Sequence, residues 1–377
     1  PDGAPWRRLA RPVGVTAALE GLEGRVLVVA GRGAGRPAPV LAASARHGWP
    51  VLADALSGAR TGQRSVVAAF DAIVADPRLR ERLRPDVVLA LGAPPAGRAL
   101  GDALAAWSAR VVAVAEDGWP PDPRGLVTDV VVAPPTDWLS SLAELPALDA
   151  DAAYLAAWRA ADDAVQAVFD EGCATELTEP AVARALSRLG GDLDVVVSSS
   201  MPIRDMDAFG ASTPSSVRVL ANRGANGIDG IVSTSLGVAA GGRAIGLLGD
   251  LAFLHDAGGL ADGVGEAGGT CVLVVVDNRG GGIFSFLPQR ASLSAATFER
   301  AFGTPPSASV ASVALGYGAT VHEVKDLDAL RAAVDTGLHA SGVTVVVAAV
   351  PDRERNVELH RALTARAQRA ALDALGG

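Results

Sequence analysis

Seven short apolar runs constrain the fold of this 377-residue chain more than anything else in it. They are RVLVVAG (Arg25 to Gly31), PDVVLALG (Pro85 to Gly92), ARVVAVAED (Ala109 to Asp117), DLDVVVSSS (Asp192 to Ser200), RAIGLLGD (Arg243 to Asp250), CVLVVVDN (Cys271 to Asn278) and TVVVAAVPD (Thr344 to Asp352). None alternates apolar with polar, as a strand with one wet face does. A continuous apolar run needs both faces covered, which is the situation of a parallel strand between helices. Ala-rich stretches with helical patterning separate the runs and supply the crossovers that parallel pairing requires. The expected fold class is α/β, with two Rossmann-like parallel-sheet domains and right-handed crossovers.

Composition narrows the class. Hydrophobic residues make up 49% of the chain, so a large core is available and global disorder is excluded. Acidic residues outnumber basic ones, 42 to 33, which argues against nucleic acid as the main partner. Lys325 is the one lysine, a bias that reads as compositional rather than functional. Two cysteines with no CxxC give neither a disulfide framework nor a metal finger, and a reducing, cytoplasmic location is expected. No apolar stretch approaches the ~20 residues that span a bilayer, so no integral membrane segment is expected. The first residues, PDGAPWRR, lack the apolar core of a signal peptide, and the chain starts at Pro1 rather than Met, as a fragment or processed form would. All six Trp lie between Trp6 and Trp158. That shift places a domain boundary near residue 150, giving domains 1–150 and 151–377.

Gly-rich loops follow the strands, and open α/β sheets bind ligands at the carboxyl ends of their strands. The first such loop, GRGAGR, lacks the GxGxxG spacing of a dinucleotide fingerprint and reads as a strand-to-helix turn. Two other strand ends carry ligand-type side chains. Asp250 closes RAIGLLGD and Asn278 closes CVLVVVDN, a spacing that fits one strand-helix-strand unit. Alone, Asp250 reads as the N-terminal cap of the helix that follows. With Asn278 and the glycines after it, the same acid becomes part of an oxygen site. A carboxylate, an amide oxygen and a backbone carbonyl suit Mg²⁺, which completes its shell with phosphate oxygens and water. His255 and Asp256 have the residue types of a catalytic pair, but a His at helical spacing is more often a packed or capping residue, and no chemistry is assigned.

Four motifs in order complete the pattern: SSSMPIRD (Ser198 to Asp205), NRGANGIDGIVSTSLG (Asn222 to Gly237), GDLAFLHD (Gly249 to Asp256) and GGGIFSFLPQ (Gly280 to Gln289). Together they resemble the thiamine-diphosphate enzymes, and within them the MenD family, the 2-succinyl-5-enolpyruvyl-6-hydroxy-3-cyclohexene-1-carboxylate synthases of menaquinone biosynthesis. The resemblance covers most of residues 190–290 and, more weakly, 1–150.

The resemblance implies a transferase that decarboxylates 2-oxoglutarate and adds the remainder to isochorismate in a 1,4 sense. It implies thiamine diphosphate and Mg²⁺ (or Mn²⁺) as cofactors. Asp250, Asn278 and the carbonyl of Gly280 map to the metal ligands. Gly249, Leu251 and Ile228 map to the cofactor site, with Ile228 propping its bent conformation. Ser200, Arg204 and Arg223 map to substrate-binding residues, and Ile283, Phe284 and Leu287 to the pocket wall. Guanidinium forks suit two dicarboxylate substrates.

Two positions depart from the family pattern: Gly258 stands where Asn is usual, and Asp277 where the first of an Asn pair is usual. The resemblance also implies that the family's N-terminal pyrimidine-binding domain is absent from this chain. Its catalytic Glu is then expected on a partner subunit or separate fragment of a homodimer or homotetramer, with no catalytic residue on this chain and no turnover by this chain alone. The first domain is expected to be the structural or regulatory middle domain. Arg98 and Arg124, both beyond strand carboxyl ends, are candidates for a regulatory anion pocket, with ordinary surface arginines as the alternative. The functional alternatives are another thiamine-diphosphate carboligase, of the acetolactate-synthase kind, and a non-catalytic cofactor-binding partner.

Overall fold

The computed structural model describes residues 8–10, 22–148, 151–214, 216–222, 227–261 and 269–376. They form two units, residues 1–168 with 366–377, and residues 169–365. The chain passes from one to the other inside the helix Ala152–Gly172, rather than near residue 150. The reason lies in that helix's first turns. Tyr154 donates its hydroxyl hydrogen to the Leu83 carbonyl at 3.0 Å, and Asp162 accepts from the Ala69 N–H at 2.8 Å, so this stretch is fastened into the first unit.

The first unit holds β1 (Arg8–Ala10), β2 (Val26–Ala30), β3 (Val51–Ala53), β4 (Val66–Val67), β5 (Val87–Leu91), β6 (Arg110–Val114) and β7 (Asp129–Val131). They form one parallel sheet in the order β1-β7-β6-β5-β2-β3-β4. The first three apolar runs become β2, β5 and β6, its central strands. Their inward side chains join those of the helices Pro37–His47 and Pro135–Glu144 in one core.

The chain builds outward from β2 to β4, then returns to β5 on the other side of β2, so a switch point lies between β2 and β5. Backbone fills this crevice. Gly31 N–H donates to the Leu91 carbonyl at 3.0 Å, and Ala93 N–H donates to the Arg32 carbonyl at 2.8 Å. Gly92 adopts φ +72°, and a Cβ there would lie 2.6 Å from the Ala34 nitrogen.

The second unit holds β8 (Leu193–Val197), β9 (Val217–Ala221), β10 (Arg243–Gly249), β11 (Thr270–Asp277), β12 (Thr320–Val324) and β13 (Gly342–Ala349). All pair in parallel, in the order β12-β13-β11-β10-β8-β9. The last four apolar runs are β8, β10, β11 and β13, the four interior strands. The two expected neighbours, β10 and β11, do pair, with Gly249 opposite Val276. Here the switch point lies between β8 and β10, because the chain runs out to β9 and crosses back. Both cysteines are buried free thiols, pushed up to about 11 at Cys173 and about 12 at Cys271 by burial.

Candidate active site

The second switch point opens into a cleft of about 460 Å³, within the range of small-molecule sites. Its walls come from the carboxyl ends of β8, β9, β10 and β11. This is where an open parallel sheet binds ligands, because the loops on either side of the switch diverge.

Asp250 begins the helix Asp250–Asp256 directly after β10, and is 2% exposed. Its Oδ1 accepts from Leu251 N–H at 2.7 Å and its Oδ2 from Gly280 N–H at 2.8 Å. Burial, aided by the negative charge of Asp277, pushes the Asp250 carboxyl up to about 6 despite those two bonds. A nearby cation would reverse that shift. Asn278 follows β11 and is also buried. Its Nδ2 donates to Glu179 Oε1 at 2.7 Å, while its Oδ1 is buried with no hydrogen-bond partner.

Gly280 takes φ +133°, a conformation that favours glycine, and its carbonyl accepts from Gly282 N–H at 2.9 Å with a second lone pair left. An orphaned amide oxygen, an anion held in a dry site and a turn carbonyl are hard donors that fit Mg²⁺. Among the described residues no group of three or more His, Cys, Asp or Glu is arranged to hold a metal ion, so any metal here would depend on amide and backbone oxygens as well.

The wall beyond β8 is strained. Ser200, just before the helix Met201–Phe209, has φ 75° and ψ −136°, a region rarely populated by residues with a side chain. Its carbonyl accepts from Arg204 Nη1 at 2.7 Å, so the guanidinium is tied to the loop while lining the cleft. Ser199 Oγ donates to the Asn222 carbonyl at 3.0 Å and joins this wall to the end of β9. Ile228, half-buried, packs against the second unit's core and faces the cleft. Ile283 and the 37%-exposed Phe284 form the apolar side, with Phe284 edge-on to Phe302.

Ser200, Arg204, Ile228, Gly249, Asp250, Leu251, Asn278, Gly280, Ile283 and Phe284 therefore line one cleft. Leu287 lines a separate, shallower one beside Phe286, Arg290 and Glu354. Arg223 lies outside the described residues. Arg98 and Arg124 do meet, but on Asp102, at 3.2 and 2.8 Å. The pair of guanidiniums, Arg124 first, holds the exposed Asp102 carboxyl below its usual range.

His255 is exposed, and Asp256 accepts from the N–H and Oγ of Ser233, so the latter holds a helix start. Gly258 has open space around it, and Asp277 accepts from Arg279 N–H at 3.2 Å.

Three buried residues behind the cleft escape sequence reasoning. Glu179 lines the cleft at 4% exposure, and burial pushes its carboxyl up to about 7. Asp205 is hydrogen-bonded to Glu179, and its carboxyl is also raised well above the usual range, by burial and by Glu179 itself. Two carboxyls this close do not both ionise in a dry site, so the two share a proton as a pair. His360 Nε2 lies 3.2 Å from Asp205 Oδ1, and burial lowers the imidazole to about 3, keeping it neutral. Phe209 and Phe286 pack edge-on against its ring. In sequence Glu179 is an acid in the first turn of a helix after a capping Thr178, which nothing sets apart from an ordinary helix start.

Two family models match the chain. One, "Middle domain of thiamine pyrophosphate", covers residues 18–194, and the other, "Thiamine pyrophosphate enzyme, C-terminal TPP binding domain", covers residues 215–348. Among curated proteins the chain is similar to three 2-succinyl-5-enolpyruvyl-6-hydroxy-3-cyclohexene-1-carboxylate synthases. That of Oceanobacillus iheyensis is 33% identical over 331 residues, 86% of this chain and 56% of that protein. That of Myxococcus xanthus is 38% identical over 345 residues, covering 88% and 57%. That of Rubrobacter xylanophilus is 37% identical over 381 residues, covering 96% and 63%. The chain thus spans 56 to 63% of the length of these relatives. Among solved structures, a putative thiamin diphosphate-dependent enzyme from Mycobacterium smegmatis shares the fold, with TM-score 0.59, 20% identity, and 89% and 64% of the two chains covered.

Proposed function

The chain belongs to the thiamine pyrophosphate enzymes, and from that premise we propose that it carries the cofactor-binding part of a 2-succinyl-5-enolpyruvyl-6-hydroxy-3-cyclohexene-1-carboxylate synthase. The substrates of this reading are 2-oxoglutarate and isochorismate, and the setting is menaquinone biosynthesis in the cytoplasm. The observation that carries it is the Asn278 Oδ1 atom, buried without a hydrogen-bond partner on a residue that lines the same cleft as Asp250.

Asp250, Asn278 and the Gly280 carbonyl would hold Mg²⁺ (or Mn²⁺), the counter-ion of the cofactor's diphosphate. Gly249, Leu251 and the apolar Ile228 line the same cleft and would pack against the bound cofactor. Bound thiamine diphosphate supplies the electron sink that lets a 2-oxo acid lose CO₂ and transfer the remainder as a nucleophile.

The protein's own residues bind and orient the substrates. Arg204 is fixed by its bond to the Ser200 carbonyl and offers its remaining N–H donors to a substrate carboxylate. Arg223 serves as a second fork. Ser200 offers a hydroxyl from a backbone held out of its relaxed conformation. Ile283 and Phe284 exclude water on the apolar side, while Leu287, in a separate cleft, takes no part in this wall. The catalytic Glu of this reading belongs to the family's N-terminal pyrimidine-binding domain, supplied across a homodimer or homotetramer. Residues of the first unit provide the middle domain, where Arg98 and Arg124 form a regulatory anion site only after releasing Asp102.

The test is direct. The full-length protein is incubated with thiamine diphosphate, Mg²⁺, 2-oxoglutarate and isochorismate, and the product is read by mass spectrometry. Formation of the decarboxylated adduct is expected. Failure to form it, or an adduct made from pyruvate instead, overturns the reading.

A further inference from the structure

An amide side chain has two ends, and only one binds a cation. Asn278 ligates a metal through Oδ1, whereas a half-turn of the amide would present two N–H donors to the same ion. Something must choose between those orientations. A carboxyl oxygen that accepts a hydrogen bond from the amide takes its NH₂ end and leaves the amide oxygen pointing the other way.

The second unit has such a group. Glu179 Oε1 accepts from Asn278 Nδ2 at 2.7 Å, with both residues buried. Gly282 closes over the pair. A Cβ there would lie 2.6 Å from Asn278 Nδ2 and 3.7 Å from Glu179 Oε1, so only glycine lets the turn pack this closely without displacing the amide. Glu179 is also hydrogen-bonded to the buried Asp205, whose Oδ1 lies 3.2 Å from His360 Nε2, so a second side chain holds it.

We infer that Glu179 is a positioning residue, which holds the Asn278 amide with its Oδ1 toward the cleft and so completes the metal-binding donor set. The inference rests on the proposed cofactor site and adds a residue to it. Glu179 does not touch the metal and acts through Asn278. Removing an outer partner of this kind typically lowers metal affinity about 10- to 100-fold.

The experiment measures Mn²⁺ binding by electron paramagnetic resonance, and Mn²⁺-dependent thiamine diphosphate binding by calorimetry, on the full-length protein. Glu179→Leu keeps the bulk and removes the acceptor. It should lose about 10- to 100-fold in Mn²⁺ affinity, whereas Glu179→Gln, which keeps an acceptor oxygen, should stay within about threefold of wild type. In an Asn278→Ala background Glu179→Leu should cost nothing further, because the group it orients is gone.

Unchanged Mn²⁺ affinity in Glu179→Leu overturns the inference. So does an equal loss with and without Asn278, which would mark a general structural role. Should Glu179→Leu fail to fold, Glu179→Asp carries the test, since it withdraws the carboxylate by one methylene while keeping its charge; wild-type affinity in that variant also overturns the inference. A wild-type protein that binds neither Mn²⁺ nor thiamine diphosphate instead overturns the functional reading beneath it.

Discussion

The two units use the same device, a parallel sheet with a switch point, but the cleft of the second is much the roomier, about 460 Å³ against about 160 Å³ beside β2 and β5 in the first. In the first, the loops after β2 and β5 are locked by two backbone hydrogen bonds, and Gly92 lets the Arg32–Ala34 segment fill the space. In the second, the loops after β8 and β10 stand apart, with buried polar atoms facing about 460 Å³ of cleft. A topological rule thus names where a site is permitted, and loop packing decides whether it exists. The chemistry differs in the same way. In the first unit Arg98 and Arg124 pair with Asp102, whereas in the second the Asn278 Oδ1 atom at the cleft has no hydrogen-bond partner.

The strongest way to break this contrast is at Asp250. Asp250→Ala should reduce Mg²⁺-dependent thiamine diphosphate affinity by more than about 100-fold, beyond the loss usual for outer-shell partners, and chelation of the metal should match it. Calorimetry checks both, with circular dichroism confirming the fold. Next comes a pair of equal substitutions in the two crevices. Gly92→Ala forces a side chain onto positive φ against backbone, and should cost more than about 1 kcal/mol of stability without changing cofactor affinity. Gly282→Ala should instead lower cofactor affinity about 10-fold by displacing the Asn278 amide.

The seven apolar runs identified the strands that lie inside the sheets: β2, β5 and β6, then β8, β10, β11 and β13. These are covered on both faces, which is what a continuous apolar run records. The edge strands β9 and β12 are partly exposed, and β3, β4 and β7 are two or three residues long, so neither pattern nor length marks them. The strand-end donors Asp250 and Asn278 were legible because their spacing equals one crossover. Glu179 was not, because its neighbours in space come from β11 and the helix Met201–Phe209, 99 residues away in the case of Asn278. Long-range pairing of a buried carboxylate leaves no local mark.

Smaller effects sharpen the comparison. Ser200→Gly should relieve the backbone and raise stability by about 1 kcal/mol while lowering turnover, as expected of strain kept for function. A thermal melt beside a rate assay checks it. In the first unit the buried carboxyl of Asp162 is raised above the usual range, chiefly by burial and against the bond from Ala69 and the charge of Arg159. A carboxyl raised in the folded state contributes stability that is fully present below its unfolded value and is lost as pH rises through the folded one. Asp162→Asn should remove that decline in melts across pH, and should leave cofactor binding unchanged.

The central claim is that the second switch point, and not the first, is built for a metal-bound diphosphate. Anomalous diffraction from crystals of the full-length protein grown with Mn²⁺ and thiamine diphosphate tests it most directly. The account predicts one strong peak about 2.1–2.2 Å from an Asp250 carboxylate oxygen, Asn278 Oδ1 and the Gly280 carbonyl. A peak coordinated elsewhere, or an Asn278 amide turned with its nitrogen toward the ion, would contradict it.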